Sequence, residues 1–162
     1  MAKIPANKKA ALGNVLVIGG CGFLGHHIVN LLLESYTASV SVLDLYTTRN
    51  RRPDGEVQYF DGDITSIESI LPVFQKVKPA VVIHTASPTL MGGSNALYKK
   101  VNVDGTATVI EACQKTGVKA LVYTSSASVI SDTQTDLINA DERWPIVAPS
   151  KQIEYYSQTK VS

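Results

Sequence analysis

The sequence predicts an α/β protein built on a doubly wound parallel sheet, and three observations lead there. Short β-branched runs alternate with longer segments of helical periodicity, the pattern of successive βαβ units. Most of those runs are apolar at consecutive positions, as strands covered on both faces must be. Three glycines spaced three apart, Gly19, Gly22 and Gly25, fall between the first run and the first helical pattern.

Taken in order, residues 1–12 read as a flexible basic tail and residues 13–162 as one domain, a size that can bury a core. Strands are expected over 15–18, 39–43, 57–60, 80–84 and 120–124. Helices are expected over 22–36, 66–77 and 97–115, with a last one entered near Ser150. TTRNRRPDGE (47–56) reads as a polar surface loop. SDTQTDLINADERWPIVAPS (131–150) reads as a connection long enough to imply a function.

Composition excludes several classes. Lys and Arg number 15 against 14 Asp and Glu, a net charge of +1, and the basic residues form no stripe, so nucleic acid is not an expected partner. Cys21 and Cys113 lie far apart with no companion at metal-ligand spacing, which predicts no metal site and a reduced, intracellular protein. No apolar run approaches the ~20 residues of a membrane helix, and the N-terminal stretch carries no signal-peptide core. Any membrane attachment would be peripheral.

The glycine loop IGGCGFLG supplies the chemistry that such a strand-to-helix turn allows. Glycine permits positive φ, lets the backbone approach a pyrophosphate, and lets the helix pack against the strand, while the helix N-terminus offers N–H groups to an anion. This predicts a Rossmann-type dinucleotide site involving Gly19, Gly22, Phe23, Leu24 and Gly25. Asp44, at the end of the second strand and about 20 residues beyond the last glycine, is placed to hold the ribose hydroxyls of NAD and to repel a 2′-phosphate. Arg49, Arg51 and Arg52 follow and could pair with such a phosphate or form a solvated loop face; NAD is favoured over NADP.

Further along, Asp63 in FDGDIT, with Ile64 beside it, either reaches the adenine edge or closes a turn. HTAS, with Thr85, Ala86 and Ser87 at the end of the fourth strand, would wall the cofactor, because ligands of open parallel sheets lie beyond the carboxyl ends of strands. His84 reads as a buried, hydrogen-bonded residue.

EYYSQTKVS places Tyr156 and Lys160 four apart, on one helix face, whereas Tyr155 has Thr159 at that spacing. A tyrosine with an ordinary pKa near 10 needs a shift of about three units, or roughly 4 kcal/mol, to act as a base near neutrality. A neighbouring ammonium has the sign for it. In YTSSASVI, Thr124, Ser125, Ser126 and Ser128 crowd the end of the fifth strand, where a hydroxyl could hold a substrate oxygen. The G-x-S-x-G elbow of acyl-transfer hydrolases is absent.

Together the glycine loop, strand-end acid, serine-rich fifth strand and Y-x-x-x-K resemble the extended short-chain dehydrogenase/reductases. GGCGFLG, HTASP, YTSSASVI, DERWP and VNVDGT look most like their 3β-hydroxysteroid dehydrogenase group, in particular its members that act on 4-carboxysterols. The resemblance implies that Tyr156 takes the 3-hydroxyl proton, that Lys160 lowers its pKa and binds the nicotinamide ribose, and that Ser126 holds the substrate oxygen. It further implies a place for Asn102 in the active-site hydrogen-bond relay. The implied reaction is NAD-dependent oxidation of a sterol 3β-hydroxyl with decarboxylation. The implied partners are a sterol or steroid substrate and, compatibly, a second copy in a homodimer; the implied location is cytoplasmic, at the face of the endoplasmic reticulum.

The family pattern runs on past Y-x-x-x-K, so the resemblance also implies a sheet incomplete on its C-terminal side and no substrate domain within these 162 residues. Two other readings compete. One is a catalytically silent NAD(P)-binding or redox-sensing protein. The other is an NADPH-dependent reductase resembling dihydroflavonol and cinnamoyl-CoA reductases, against which Asp44 argues. A sugar-nucleotide epimerase is weaker, because the usual VYG after the serine strand is replaced by VIS at Val129 to Ser131.

Overall fold

A computed structural model describes residues 9–53, 55–89 and 93–161. In chain order it shows β1 (Ala11–Ile18), α1 (Phe23–Ser35), β2 (Thr37–Asp44), β3 (Gln58–Asp61), α2 (Ile67–Val77) and β4 (Val81–His84). There follow α3 (Asn95–Tyr98), a π-helical stretch (Lys99–Gly105), α4 (Thr106–Thr116) and β5 (Ala120–Tyr123). Two 3₁₀ turns (Ala127–Ile130 and Pro149–Lys151) then lead to α5 (Tyr155–Val161).

The chain forms two compact units. The first runs to Ala86 and resumes over Gly105–Thr124; the second holds Ser87–Asp104 and the chain from Ser125 onward.

The first unit carries the sheet, ordered β3-β2-β1-β4-β5 with every described pairing parallel. β1 lies at the centre, and its second half is the most deeply buried strand segment, with Val15, Leu16, Val17 and Ile18 all 0 % exposed. Val15 and Val17 pack with Val40 and Val42 of β2 and Val29 and Leu32 of α1. Leu16 and Ile18 point to the other face by strand alternation and are equally buried, so both faces are covered. The edges are less buried: β3 exposes Gln58 and β5 leaves Val122 53 % exposed. The strand order reverses between β1 and β4, which opens a crevice beyond their carboxyl ends where ligands of doubly wound sheets bind.

The second unit is small and held by polar contacts. α5 packs against α3 and both 3₁₀ turns. Gln152 is buried and its amide donates to the Val129 and Val147 carbonyls, both at 2.9 Å.

Boundaries differ from the sequence reading in three places. β1 begins at Ala11, so residues 11 and 12 belong to the sheet, while most of the expected tail lies outside the described residues. The helix expected over 97–115 is wound as α3, a π-helical stretch and α4. The wider winding brings residues five apart together, and Lys99 Nζ meets Asp104 Oδ1 at 3.0 Å. The last helix starts at Tyr155, because Gln152 turns extended and spends its side chain on Val129 and Val147.

Two helices end in the left-handed conformation, α4 at Gly117 (φ 71) and α2 at Lys78 (φ 48). Glycine adopts that backbone without a Cβ penalty and lysine does not. Lys78→Gly is therefore expected to raise stability, by up to about 1 kcal/mol, whereas Gly117→Ala lowers it by a similar amount. Urea denaturation of the two variants checks both signs.

Candidate functional site

The first unit presents the glycine loop at the carboxyl end of β1. Gly19 has φ +81 and its N–H donates to the Leu43 carbonyl at 2.8 Å. A Cβ on Gly19 would lie 2.6 Å from the Ala86 nitrogen and 2.9 Å from Thr85 Oγ1. Thr85 in turn donates its hydroxyl to the Ile18 carbonyl at 2.8 Å. The ends of β1 and β4 are thus seated backbone against backbone. A Cβ on Gly25 would meet the Gly19 carbonyl oxygen and lie 2.7 Å from Gly20 Cα, so glycine is what lets α1 rest on the loop.

This cradle fits a dinucleotide. α1 begins at Gly22 with no side-chain cap and no acidic residue in its first turn, so its leading N–H groups and the positive end of its dipole are left for an anion. Phe23 is 82 % exposed and Leu24 47 % exposed at that edge, whereas Ile64 is buried.

Asp44 ends β2 beside the loop. Its Oδ2 accepts from the Cys21 N–H at 2.9 Å and its Oδ1 from the Leu45 N–H at 2.8 Å. Burial, followed by the charge of Asp44, pushes the Cys21 thiol up to about 11, which disfavours its thiolate near neutrality. Among the basic residues that follow, Arg51 stacks 4.5 Å from the Tyr59 ring centroid and Arg52 pairs with Glu56 at 2.9 Å. Both are engaged within the loop and with β3, although Arg51 stays as exposed as Arg49 and only Arg52 is half-buried. Asp63 closes a turn, accepting from the Thr65 N–H at 2.8 Å. His84 is buried with Nε2 at 3.1 Å from Thr106 Oγ1, the structural role read from the sequence.

The second unit gathers the other predicted residues. On α5, Lys160 Nζ lies 5.9 Å from the Tyr156 ring centroid, so the two share a face as their spacing requires. The Tyr98 ring meets that of Tyr156 edge-on at 5.5 Å. Lys160 is 6 % exposed, and burial pushes its pKa down from 10.5 to about 8.

Asn102 is buried and its side chain is fully engaged. Ser87 Oγ donates to its Oδ1 at 3.0 Å, and its Nδ2 donates to Thr159 Oγ1 at 3.0 Å. The Thr159 hydroxyl then donates to the Tyr156 carbonyl at 2.7 Å. A directed chain of hydrogen bonds therefore runs from Ser87 through Asn102 into the helix that carries Tyr156. Ser126 Oγ lies 2.8 Å from Ser128 Oγ and accepts from the Ser128 N–H at 3.2 Å, while Ser125 Oγ donates to the Lys160 carbonyl at 3.2 Å.

The structure brings Asn102, Ser87, Tyr156 and Lys160 together within the second unit, and the glycines, Asp44, Thr85 and Ala86 within the first. Sequence reasoning missed Thr159, Tyr98 and Asn50. Thr159 sits beside Lys160, and a hydroxyl one residue before a buried lysine carried no signal of its long-range partner.

Fold and loop together define a doubly wound sheet of the Rossmann type with a dinucleotide-type glycine turn. The match over residues 16–162 is to the 3-beta hydroxysteroid dehydrogenase/isomerase family, and the chain belongs to that family. It is 43% identical over 151 residues to the decarboxylating sterol-4-alpha-carboxylate 3-dehydrogenase of Schizosaccharomyces pombe, covering 92% of this chain and 43% of that protein. The Homo sapiens protein of the same name is 39% identical over 145 residues, with 90% of this chain and 36% of that one covered. The chain thus spans under half the length of these relatives. Among solved structures, UDP-glucose 4-epimerase of Thermus thermophilus in complex with NAD superposes with a TM-score of 0.78 at 32% identity, over 91% of this chain and 47% of that one.

The buried ammonium yields a pH signature. With the folded pKa of Lys160 at about 8 and the unfolded value at 10.5, the unfolded state binds more protons between these limits, so stability rises with pH across that window. Lys160→Met is expected to be more stable than the wild type near pH 7, with the gap closing by up to about 3 kcal/mol as pH is raised from about 8 to 10.5. Chemical denaturation of both proteins across that range measures it.

Proposed function

We propose that this chain forms the NAD-binding and tyrosine-bearing part of a dehydrogenase that oxidises the 3β-hydroxyl of a 4-carboxysterol to a ketone, with loss of the carboxylate. The observation that carries this reading is the buried Lys160 ammonium set on the same α5 face as Tyr156, in a chain 43% identical to a sterol-4-alpha-carboxylate 3-dehydrogenase. The uncapped start of α1 and Asp44 at the end of β2, whose carboxylate repels a 2′-phosphate, support NAD.

When bound, NAD supplies the acceptor for the hydride that leaves sterol C3. Tyr156 takes the proton of the 3-hydroxyl, and the positive charge of Lys160 favours the phenolate that does so. Lys160 would also donate to the ribose of a bound nicotinamide cofactor, and Ser126 would hold the substrate oxygen. The Ser87–Asn102–Thr159 chain keeps α5 seated while the proton moves. The resulting 3-keto-4-carboxylate is a β-keto acid anion: its C4–carboxylate bond breaks, the electron pair moves into the ketone, carbon dioxide departs, and the enolate left behind takes one proton at C4 to give the ketone.

The same reading makes the substrate a sterol held near a membrane, with the protein peripheral at the cytosolic face of the endoplasmic reticulum. No helix among the described residues is long and apolar enough to cross a membrane.

The test is steady-state oxidation of a 4-carboxysterol by the purified chain, with NADH formation and release of carbon dioxide both followed. The expected result is turnover at equal rates of the two products, reduced at least about a hundredfold in Tyr156→Phe with NADH affinity kept. NADH binding without turnover would instead support a silent dinucleotide-binding protein.

A further inference from the structure

Cys21 lies at the middle of the glycine loop, and both polar groups of its main chain are held by residues at or beyond the end of β2. Its N–H donates to Asp44 Oδ2 and its carbonyl accepts from Asn50 Nδ2, each at 2.9 Å. Asn50 is itself fixed from α1, since its carbonyl lies 2.8 Å from His26 Nδ1. A carbonyl only accepts, so His26 donates through Nδ1, and its Nε2 is left to accept from Asn30 Nδ2 at 3.1 Å. Asn50 has φ +50, a left-handed backbone that asparagine adopts more readily than most residues.

We propose that Asn50 is a positioning residue for the cofactor site, holding the glycine loop against the strand-end acid without touching the cofactor itself. The proposal rests on the reading that this loop receives NAD. Asp44 alone restrains one side of Cys21. With the Cys21 carbonyl also held, the turn between β1 and α1 is fixed at both of its inner polar groups, and the Asp44 carboxylate is oriented by Cys21 on one oxygen and by Leu45 on the other. A loop fixed in this way meets a pyrophosphate without first being ordered, and ordering that is already complete does not subtract from affinity.

The chemistry also dictates the residue type. The position needs a short donor on a left-handed backbone. Aspartate keeps the shape and sets a carboxylate against the Cys21 carbonyl, acceptor against acceptor. Glycine keeps the backbone and removes the donor. Asn50→Gly and Asn50→Asp therefore separate the amide from the backbone conformation.

The experiment measures NADH affinity by nicotinamide fluorescence in the wild type and both variants, thermal midpoints for each, and amide hydrogen exchange at Cys21 in the free proteins. The expected result is an NADH dissociation constant raised roughly fivefold in Asn50→Gly, the loss of one ordinary hydrogen bond, and raised further in Asn50→Asp. Exchange at Cys21 accelerates in both while the Asn50→Gly midpoint stays within a few degrees of the wild type. Unchanged affinity together with unchanged Cys21 exchange would overturn the proposal, as would a lowered midpoint with affinity unaltered. Should the wild type bind no NADH, the cofactor reading fails. Cys21 exchange in Asn50→Gly then decides the remaining claim: acceleration supports the hold, and an unchanged rate overturns it.

Discussion

The close seating of backbone on backbone at the end of β1 is the constraint on which the first unit depends. Gly19 leaves room for Thr85 and Ala86 at the end of β4, and Gly25 leaves room for the Gly19 carbonyl under α1. Neither position tolerates a Cβ without moving main chain, because the atoms it would meet are mostly backbone. β1, β4 and α1 are therefore brought to one point, and that point lies where the strand order reverses. The same geometry that closes the core leaves the start of α1 uncapped, so packing and anion binding are two results of one glycine pattern.

The second unit solves a different problem with different means. α5 has only seven residues, too few to be helical on its own account, and it is secured mainly through buried polar groups. Asn102 spends both ends of its amide, on Ser87 and on Thr159, and Thr159 passes the restraint to the Tyr156 carbonyl. The cost of burying these groups is offset only because each is satisfied. Lys160 brings a charge into the same unit: burial lowers its pKa to about 8, which keeps it a cation through the neutral range on the face it shares with Tyr156.

Much of this was legible in the sequence, and what was not has a physical reason. β1, β2 and β4 stood out because buried parallel strands are apolar on both faces, and the glycines, Asp44, Tyr156 and Lys160 stood out because their spacing along one chain carries the chemistry. The π-helical winding of Lys99–Gly105 left no trace, since the pattern VNVDG suits an ordinary helix and the extra residue per turn comes from packing. The start of α5 was placed too early because Pro149 reads as a first helical position, and nothing in the sequence announces that Gln152 reaches Val129 and Val147. Asn50 read as one polar loop residue among several; only the fold reveals that its partner is Cys21, 29 positions earlier. Arg51 and Arg52 read as candidates for a phosphate, and their engagement with Tyr59 and Glu56 is likewise visible only in three dimensions.

If the first unit binds NAD as proposed, Asp44 at the end of β2 decides between the two nicotinamide cofactors. The most direct measurement is a titration of the purified chain with NADH and, separately, NADPH, followed by nicotinamide fluorescence. The expected result is saturable binding of NADH at least about tenfold tighter than NADPH, because a carboxylate at the ribose position repels a 2′-phosphate. Binding of NADPH as tight as NADH, or of neither, would contradict it.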